Sequence, residues 1–497
     1  MDIHQLLSKT DYIKASHLKD VIISGISFDS RKTKKNDIFV AIDGADEDGH
    51  KYIDNAIQKG VAAIVITKEY DFYRSKYPQV ATILVEDSRI FLAQSSALFF
   101  DYPSKNMNII GITGTKGKST ISYMIKNIFD KADLKSAVIG TIGISYNNKL
   151  IVTNTTTPSS YELNQIFSDI RNEKISNCIM EVSSISMKMN RVYGLHFNIG
   201  MYTNLTQAHI TQREHPTFED YYNSKKKIFE KSKVMLVNID DENVEKALNE
   251  YLVSDHYIKT DNRIISIGID KKADIIAENI VYKNDKSSFT YKGLNKCFDV
   301  LIDIPGRFNI YNSLFAITAA LLNDVDIIHI QNGLSDVQVR GRCEKVDIGK
   351  DYTMMIDYAH TPDSLLKILQ AVRETKTSGR IITLFGCGGD RDKSMRPMMG
   401  KISGENSDFT IITSDNSRTE KPEKIISMIE DGIKQTNGQY ICITDRTEAI
   451  RYAMKIAKKD DIVILAGKGN ETYLDVMGVK THYDEREVIF GILEGKI

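Results

Sequence analysis

A glycine-rich run, GTKGKST at residues 114–120, carries the most explicit chemistry in the chain. It follows the apolar run Met107–Thr113 and precedes a stretch in which apolar residues recur at helical spacing. A strand, a glycine turn with Lys and Ser, and a helix together form a loop that binds nucleoside triphosphates, because the helix N-terminus directs N–H groups at the phosphates. We therefore predict a triphosphate site formed by Gly114, Thr115, Lys116, Gly117, Lys118, Ser119 and Thr120.

Three predicted strands near the C-terminus end in polar loops, GCGGDRDK, SDNSRTE and AGKGNE. In open α/β sheets, ligands bind at the carboxyl ends of strands, so these loops are expected to form one site. Arginines bind carboxylates in a bidentate manner, and carboxylate or amide oxygens accept hydrogen bonds from ammonium groups. The set suits an amino acid, and its candidate binding residues are Arg391, Asp415, Asn416, Arg418, Gly467 and Glu471.

Between these two regions lies a predicted helix on which aromatic residues and one lysine share a face. Phe218, Tyr221, Tyr222 and Lys225 recur at intervals of three and four residues, so we expect Lys225 to point inward and Lys227 to point outward. Glu181 ends a predicted strand, where a carboxylate can bind Mg²⁺.

Short β-rich apolar runs alternate with helical patterns along nearly the whole chain, which predicts α/β domains with largely parallel sheets. The polar stretch DYPSKN and the stretch NGLSDVQVRGR mark the expected boundaries. We predict three domains, at about 1–103, 104–337 and 338–497.

Composition excludes several classes of function. The 65 basic and 66 acidic residues give a net charge of -1, without the basic excess expected of a nucleic-acid-binding protein. No apolar run reaches the length of about 18 residues that a membrane span needs, and the charged N-terminus does not resemble a secretory signal. The five cysteines are scattered, which argues against disulfides or a zinc site and is typical of a cytoplasmic protein.

The motifs together resemble one known family. GITGTKGKST, MEVSS, TNLTQAH, GRFNIYN, GRCE, DYAHTPD, FGCGGDRDK, DNSRTE and AGKGNE follow one another as in the Mur ligases of the MurE type, which build the peptide of bacterial peptidoglycan. The resemblance covers essentially the whole chain. It implies an N-terminal UDP-substrate-binding domain, a central phosphate-loop ATPase domain and a C-terminal Rossmann-like domain that binds the amino acid.

The resemblance also implies a reaction. A Mur ligase of this type adds meso-diaminopimelate to UDP-MurNAc-L-Ala-D-Glu, using ATP and Mg²⁺ and passing through an acyl-phosphate. We accordingly expect a cytoplasmic enzyme, a monomer, with these two molecules as its substrate partners and no nucleic-acid partner. The motif DN-x-R at residues 415–418 resembles that of ligases that use diaminopimelate.

Roles carried over from the family fall on matching positions. The catalytic set is Lys118, Glu181, His209 and Lys225, and the metal ligands are Ser119, Glu181, His209 and Lys225, with Lys225 carbamylated by CO₂. On its own, a lone histidine such as His209 is more often structural than a ligand. Further ATP-binding residues are Asn309, Arg342 and Asp357. The acceptor-binding residues are Ser27, Ser30, Thr156, Thr157, Ser183 and Arg191.

The chain departs from the family pattern at Ile185, Ser186, Ala208, Asn470 and Ser417. These departures leave open a diverged paralogue that ligates a different amino acid or acceptor. An ATP-binding protein or kinase without ligase activity and a folylpolyglutamate-type ligase are two further possibilities. The C-terminal loops argue against the kinase, and the stretch FDSRKTKKNDIFVAIDG, which resembles a UDP-binding domain, argues against the folylpolyglutamate type.

Overall fold

The computed structural model describes residues 1–44, 47–153, 155–207, 210–211, 214–260, 262–283, 286–376 and 378–497. The chain divides into two compact units, the first made of residues 1–122 and 133–273 and the second of residues 123–132 and 274–497. Within the described ranges, no helix is long and apolar enough to cross a membrane.

The first unit begins with a sheet whose strands lie in the order β1-β5-β4-β3-β2, all parallel except β1. Strands β3 and β4 are buried along their whole length, as expected for parallel strands covered on both faces. The strands are β1 (Lys14–Ser16), β2 (Gly25–Ser27), β3 (Asp37–Val40), β4 (Ala63–Ile66) and β5 (Ala81–Leu84). The helices are α1 (Ile3–Leu7), α2 (Ile53–Gln58), α3 (Tyr70–Lys76) and α4 (Ser88–Phe99), with a 3₁₀ turn at Gly49–Tyr52.

A second sheet of this unit carries the phosphate loop. Its strands are β6 (Asn108–Thr113), β7 (Ser136–Gly140), β8 (Gly143–Tyr146), β9 (Lys149–Ile151), β10 (Asn177–Glu181), β11 (Phe197–Tyr202), β12 (Ser232–Asn238) and β13 (Arg263–Gly268). The helices are α5 (Lys118–Lys131), of which residues 123–131 are counted with the second unit, α6 (Ser160–Asn172), α7 (Ser184–Lys188), α8 (Phe218–Lys226), α9 (Glu242–Leu252) and α10 (Asp255–Lys259), with a 3₁₀ turn at Phe229–Lys231.

The order of these strands, β13-β12-β11-β6-β10-β7-β8-β9, places β6 between β11 and β10. All three are parallel, and their carboxyl ends are level, because Ile112 of β6 pairs with Glu181 of β10 while Thr113 pairs with Tyr202 of β11. The segments that follow β10 and β11 therefore emerge beside the loop that follows β6. This register is what brings residues far apart in the sequence to one edge of the sheet.

The second unit contains an antiparallel meander followed by a mostly parallel sheet. The meander is β14 (Ile275–Lys283), β15 (Lys286–Gly293) and β16 (Lys296–Ile302), and the helices α11 (Arg307–Leu321) and α12 (Ile327–Ser335) follow it. The later strands are β17 (Glu344–Val346), β18 (Thr353–Asp357), β19 (Ile381–Phe385), β20 (Phe409–Ile412), β21 (Tyr440–Cys442), β22 (Ile462–Ala466) and the hairpin β23 (Tyr473–Val476) and β24 (Val479–His482). The later helices are α13 (Pro362–Thr375), α14 (Met395–Asn406), α15 (Pro422–Ile433), α16 (Arg446–Ile456) and α17 (Glu485–Leu493).

The strand order of the last sheet is β17-β18-β22-β19-β20-β21, and only β17 runs antiparallel to its neighbour. Ala466 of β22 pairs with both Asp357 of β18 and Phe385 of β19, so the ends of these strands are level. The loops that contain Arg391, Asp415 and Glu471 consequently leave the same edge.

A buried ion pair ties two of these strand ends to the helices behind them. Arg446 donates to Glu485 Oε1 at 2.9 Å, and its remaining N–H groups donate to the carbonyl oxygens of Ser414 and Ala466. Both side chains are fully buried. Because Ser414 and Ala466 immediately precede Asp415 and Gly467, the guanidinium fixes the point at which both loops begin.

The predicted fold class is confirmed: the chain has three α/β domains with mostly parallel sheets. The apolar run Met107–Thr113 forms β6, and the runs before the three polar C-terminal loops form β19, β20 and β22. The domain boundaries at 103 and 337 remain predictions.

Candidate active site

The phosphate loop leaves β6 and enters α5 as predicted. Gly114 has φ +150°, and a Cβ atom there would lie 2.0 Å from Thr203 Oγ1, so only glycine lets the loop pass β11 this closely. The Lys118 ammonium curls back and donates to the carbonyl oxygens of Gly114 and Thr115 at 2.9 and 3.2 Å. Lys118 is the first residue of α5, so its charge and the helix N-terminus face the same space.

Glu181 lies beside this loop, at the end of the neighbouring strand. Its Oε1 accepts hydrogen bonds from Ser119 Oγ at 2.8 Å and from the Thr141 amide at 3.0 Å, and its Oε2 accepts one from Thr141 Oγ1 at 3.0 Å. A side chain at Gly140 would clash with this carboxylate, since a Cβ atom would lie 2.3 Å from Oε1. A hydroxyl and a carboxylate side by side are hard oxygen donors of the kind that Mg²⁺ prefers.

Lys225 is 2% exposed, whereas Lys227 is exposed, which confirms the predicted directions of these two side chains. The Lys225 ammonium donates to Gly114 O at 2.9 Å, the same carbonyl oxygen that Lys118 contacts, and lies 5.0 Å from the centre of the Tyr221 ring. Burial, together with repulsion from Lys118, holds the pKa of Lys225 well below its usual range. The amine is thus easily deprotonated and, when neutral, is a nucleophile.

Four of the six predicted acceptor residues lie around the segment after Glu181. Thr157 Oγ1 donates to the Glu181 carbonyl at 2.8 Å and to Ser183 Oγ at 3.2 Å, and Arg191 donates to the Thr157 carbonyl at 2.8 Å. Thr156 Oγ1 lies 3.0 Å from Thr141 Oγ1. Glu181 and four predicted acceptor residues are therefore joined in one hydrogen-bonded cluster.

One predicted metal ligand cannot be placed. His209, with the substituted neighbour Ala208, lies outside the described residues. In the part of the chain that is described, no three His, Cys, Asp or Glu side chains form a group that could hold a metal ion. Ser119 and Glu181 supply oxygen donors that fit Mg²⁺, which usually needs only one or two carboxylates in addition to phosphate and water.

In the second unit, a small cavity of about 60 Å³ brings the three C-terminal loops together, and every predicted amino-acid-binding residue lines it: Arg391, Asp415, Asn416, Arg418, Gly467 and Glu471. The lining residues that sequence reasoning missed include Tyr358, His360, Thr361, Cys387 and Arg396. Tyr358, His360 and Thr361 belong to the motif DYAHTPD, which could have indicated them.

Lys468 organises the acidic side of this cavity. It is fully buried, its ammonium donates to Tyr473 O at 2.6 Å, and it lies 3.4 Å from Glu471 Oε2 and 3.7 Å from Asp415 Oδ1. Asn416 also donates to Glu471 Oε2, at 2.7 Å. Burial and repulsion from Asp415 raise the pKa of Glu471. Two carboxylates and one fixed ammonium leave a site that attracts a further cationic group.

Two of the arginines that line the cavity, Arg391 and Arg418, differ in how the protein holds them. Arg391 is exposed and makes no hydrogen bond or ion pair with any described residue. Arg418 has φ +49°, donates to Gly389 O at 3.0 Å, and its own amide donates to Asp475 O at 2.9 Å. The hairpin residue Asp475 thus holds the backbone of Arg418, while Arg391 is available to a ligand.

An ion pair between the buried Arg396 and the partly buried Glu420 connects the loops that carry Arg391 and Arg418. Arg396 donates to both oxygens of Glu420 at 2.9 and 2.7 Å, and the Asp390 amide donates to the same carboxylate. The contact with Arg396 lowers the pKa of Glu420 to about 2. The spacing between Arg391 and Arg418 is therefore fixed by a charge pair that remains ionised at neutral pH.

The remaining predicted residues lie in three places. Asn309 is buried, donates to Pro305 O and accepts from Asn312, so both ends of its amide are engaged by the protein. Arg342 lies over the Tyr358 ring at 4.7 Å, and Asp357 accepts from the amides of Cys343 and Ala359. Burial raises the pKa of Asp357. In the N-terminal domain, Ser27 Oγ donates to Asp29 O, while the Ser30 carbonyl accepts from Lys59.

Three family profiles match the chain: "Mur ligase family, catalytic domain" over residues 22–100, "Mur ligase middle domain" over 112–320 and "Mur ligase, glutamate ligase domain" over 341–469. A Clostridium acetobutylicum protein named UDP-N-acetylmuramoyl-L-alanyl-D-glutamate--2,6-diaminopimelate ligase 1 is 43% identical over 95% of this chain and 94% of its own. A ligase of the same substrate name from Clostridium botulinum is 42% identical over 98% of this chain and 99% of its own.

A solved structure of a UDP-N-acetylmuramoyl-L-alanyl-D-glutamate--2,6-diaminopimelate ligase superposes with a TM-score of 0.71 at 25% identity, covering 100% of this chain and 99% of that one. Fold, phosphate loop and full-length similarity are those of an ATP-dependent ligase. The chain belongs to the Mur ligase family.

Replacing Lys225 with Met tests the energetic cost of the buried amine. In CO₂-free buffer at pH 7, we expect Lys225→Met to raise the free energy of unfolding by about 1–4 kcal/mol, because an apolar side chain replaces an amine whose protonation the buried site disfavours. Below the normal lysine pKa the unfolded chain binds a proton that the folded site binds poorly, so wild-type stability rises with pH and the advantage shrinks toward pH 10.5.

Urea unfolding followed by circular dichroism at several pH values measures this difference. Lys227→Met, on the exposed face of the same helix, is the matched control and should change stability by no more than about 0.5 kcal/mol. A Lys225→Met variant less stable than wild type at pH 7, or an advantage that grows with pH, would contradict the assignment of Lys225 as a destabilised amine.

Proposed function

We propose that this ligase joins meso-diaminopimelate to UDP-MurNAc-L-Ala-D-Glu through an acyl-phosphate, in the cytoplasmic synthesis of peptidoglycan precursors. The observation that carries the proposal is the cavity of the second unit, which Arg391 and Arg418 line together with Asp415, Asn416 and Glu471. Full-length relatives named for this substrate pair support it.

In the first step, the D-glutamate γ-carboxylate attacks the γ-phosphorus of ATP and displaces ADP. Both reactants are anions, so the barrier is lowered mainly by positive charge placed around the phosphates. Lys118, the N–H groups at the start of α5 and the loop glycines Gly114 and Gly117 supply it from the protein. Mg²⁺, bound through Ser119 and Glu181, would add the charge that the described side chains lack.

In this mechanism, we expect Lys225 to react with CO₂ and to act as a carbamate. The neutral amine adds to CO₂ and loses a proton, and the resulting carbamate is an anion that can bind a cation beside Glu181. The lowered pKa of Lys225 favours this reaction, because only the unprotonated amine adds to CO₂. ¹³C NMR after incubation with labelled bicarbonate should show one carbamate signal that is missing in Lys225→Met; the same spectrum for both proteins would refute the modification.

In the second step, the amine of diaminopimelate attacks the acyl carbon, a C–N bond forms and phosphate leaves. The distal end of the substrate carries a carboxylate and an ammonium group. Arg391 and Arg418 suit the carboxylate, and Asp415, Asn416 and Glu471 suit the ammonium group. We assign the ATP contacts to the phosphate loop with Asn309, Arg342 and Asp357, and the acceptor contacts to Ser27, Ser30, Thr156, Thr157, Ser183 and Arg191.

Mass spectrometry of the product tests the proposal directly. Wild-type enzyme with ATP and the UDP-linked dipeptide is offered a panel of amino acids, and diaminopimelate is expected to give the amide product and stoichiometric ADP. Amide formation with another amino acid only would favour a diverged ligase. ADP release without any amide would eliminate ligation of this acceptor.

Arg418→Ala tests the recognition of the distal carboxylate. Loss of a charged hydrogen bond of about 1.5–3 kcal/mol should lower kcat/KM for diaminopimelate roughly 10- to 100-fold and leave the KM for ATP unchanged. Lysine lacks that carboxylate, so it should be a poor substrate of the wild type and its kcat/KM should hardly change. Arg373→Ala, at an exposed position of α13, is the control; equal losses for the two amino acids would show that Arg418 does not bind the carboxylate.

Two buried polar atoms near the amino-acid cavity support a second candidate function, a diverged ligase with a different amino acid or acceptor. Ser417 Oγ and Asn470 Oδ1, at two positions that depart from the family pattern, are buried and have no hydrogen-bond partner among the described residues. Both belong to loops that line the amino-acid cavity. The amino-acid panel above distinguishes the two candidates.

A further inference from the structure

His215 is a buried histidine that the proposed reaction does not use. Its side chain is 0% exposed. Nδ1 lies 2.6 Å from Asp220 Oδ2, and Nε2 lies 2.9 Å from Ser184 Oγ. A carboxylate at Nδ1 selects the tautomer that carries the proton there, so Nε2 accepts the hydrogen bond of the Ser184 hydroxyl.

On one side, His215 is attached to helix α8. Asp220 lies in the first turn of α8, where its amide donates to the N-cap Thr217. Lys188, the last residue of α7, donates to the same Asp220 oxygen at 2.7 Å. The bonds from Lys188 and His215 outweigh the effect of burial and lower the pKa of Asp220, so the carboxylate remains charged.

On the other side, His215 is attached to the start of α7. Ser184 follows Ser183, the N-cap of α7, whose hydroxyl accepts from Thr157. Ser183 and Thr157 are two of the proposed acceptor-binding residues, and Thr157 also holds the carbonyl of Glu181.

The imidazole also contacts the phosphate-loop side of the site. Its ring packs against Tyr221 at 5.2 Å between centroids, and the Tyr221 hydroxyl lies 3.0 Å from Thr115 Oγ1. The ammonium of Lys225 lies over the same tyrosine ring. A single imidazole therefore contacts the residues that support the acceptor segment and those that support Lys225.

We propose that His215 is a positioning residue of the ligase: it holds helix α8, with Lys225, in register with helix α7, with Ser183, and so sets the distance between the acceptor carboxylate and the phosphate loop. The proposal rests on the proposed function. Burial lowers the pKa of His215 despite the contact with Asp220, which agrees with a neutral imidazole that bonds differently at its two nitrogens.

Four variants test the proposal. His215→Phe keeps the packing on Tyr221 but removes both hydrogen bonds, and should lower kcat about 100-fold, the effect expected of a misplacement of about 1 Å. The KM for the amino acid should stay within about twofold.

His215→Gln can accept from Ser184 and should recover at least about tenfold of the lost kcat. Ser184→Ala should lower kcat, whereas Ser224→Ala, at a buried serine of α8 that donates to the Asp220 carbonyl, is the control and should retain activity.

The outcomes separate this proposal from the proposed function. Wild-type protein without ligase activity would refute the function. Active wild type with His215→Phe within about threefold of its kcat would refute the positioning role alone, and so would equal losses in His215→Phe and His215→Gln. The chain Ser184–His215–Asp220 also has the connectivity of a nucleophile with its base and orienting acid. Labelling of Ser184 by a fluorophosphonate would therefore overturn the positioning role, and no labelling is expected.

Discussion

Two ammonium groups share one backbone oxygen in the first unit, and the rest of the catalytic arrangement depends on that contact. Lys118 and Lys225 both donate to the Gly114 carbonyl. Like charges this close are tolerated when one is neutralised or an anion lies between them. Burial and the nearby charge of Lys118 together account for the lowered pKa of Lys225, and the Lys118 ammonium makes the loop suited to a triphosphate.

The level ends of parallel strands are what make this contact possible. Because β10 and β11 flank β6 in register, Glu181 and Thr203 reach the phosphate loop although they are remote in the sequence. The same geometry recurs in the last sheet, where the Arg446–Glu485 pair fixes the strand ends before Asp415 and Gly467. Each unit thus builds its site from loops whose starting points are held by buried backbone contacts.

Much of this arrangement could be predicted from the sequence, because the relevant signals are local. GTKGKST specifies its own turn, and the inward direction of Lys225 follows from helical spacing. Polar loops follow three of the apolar runs, and the residues predicted from these loops do line the amino-acid cavity. Apolar runs also locate the strands before these loops, because a strand buried on both faces needs an unbroken apolar segment.

The parts that could not be predicted depend on contacts between segments distant in sequence. His215 lies in an irregular stretch without periodicity, and nothing local indicates that Ser184 and Asp220 will bond its two nitrogens. The pairing of Arg396 with Glu420 could not be predicted either, because it forms only when α14 packs beside the loop that follows β20. Asn309 stays a predicted nucleotide contact, and the bonds of its amide to Pro305 and Asn312 could not be predicted, because packing alone decides them.

The proposed mechanism requires the acceptor carboxylate to become an acyl-phosphate before the amide bond forms. Transfer of oxygen-18 is the decisive measurement, with the label placed in the γ-carboxylate of the D-glutamate of the UDP-linked dipeptide. Each amide formed should release inorganic phosphate that carries one labelled oxygen from that carboxylate. Amide product accompanied by unlabelled phosphate would rule the acyl-phosphate out.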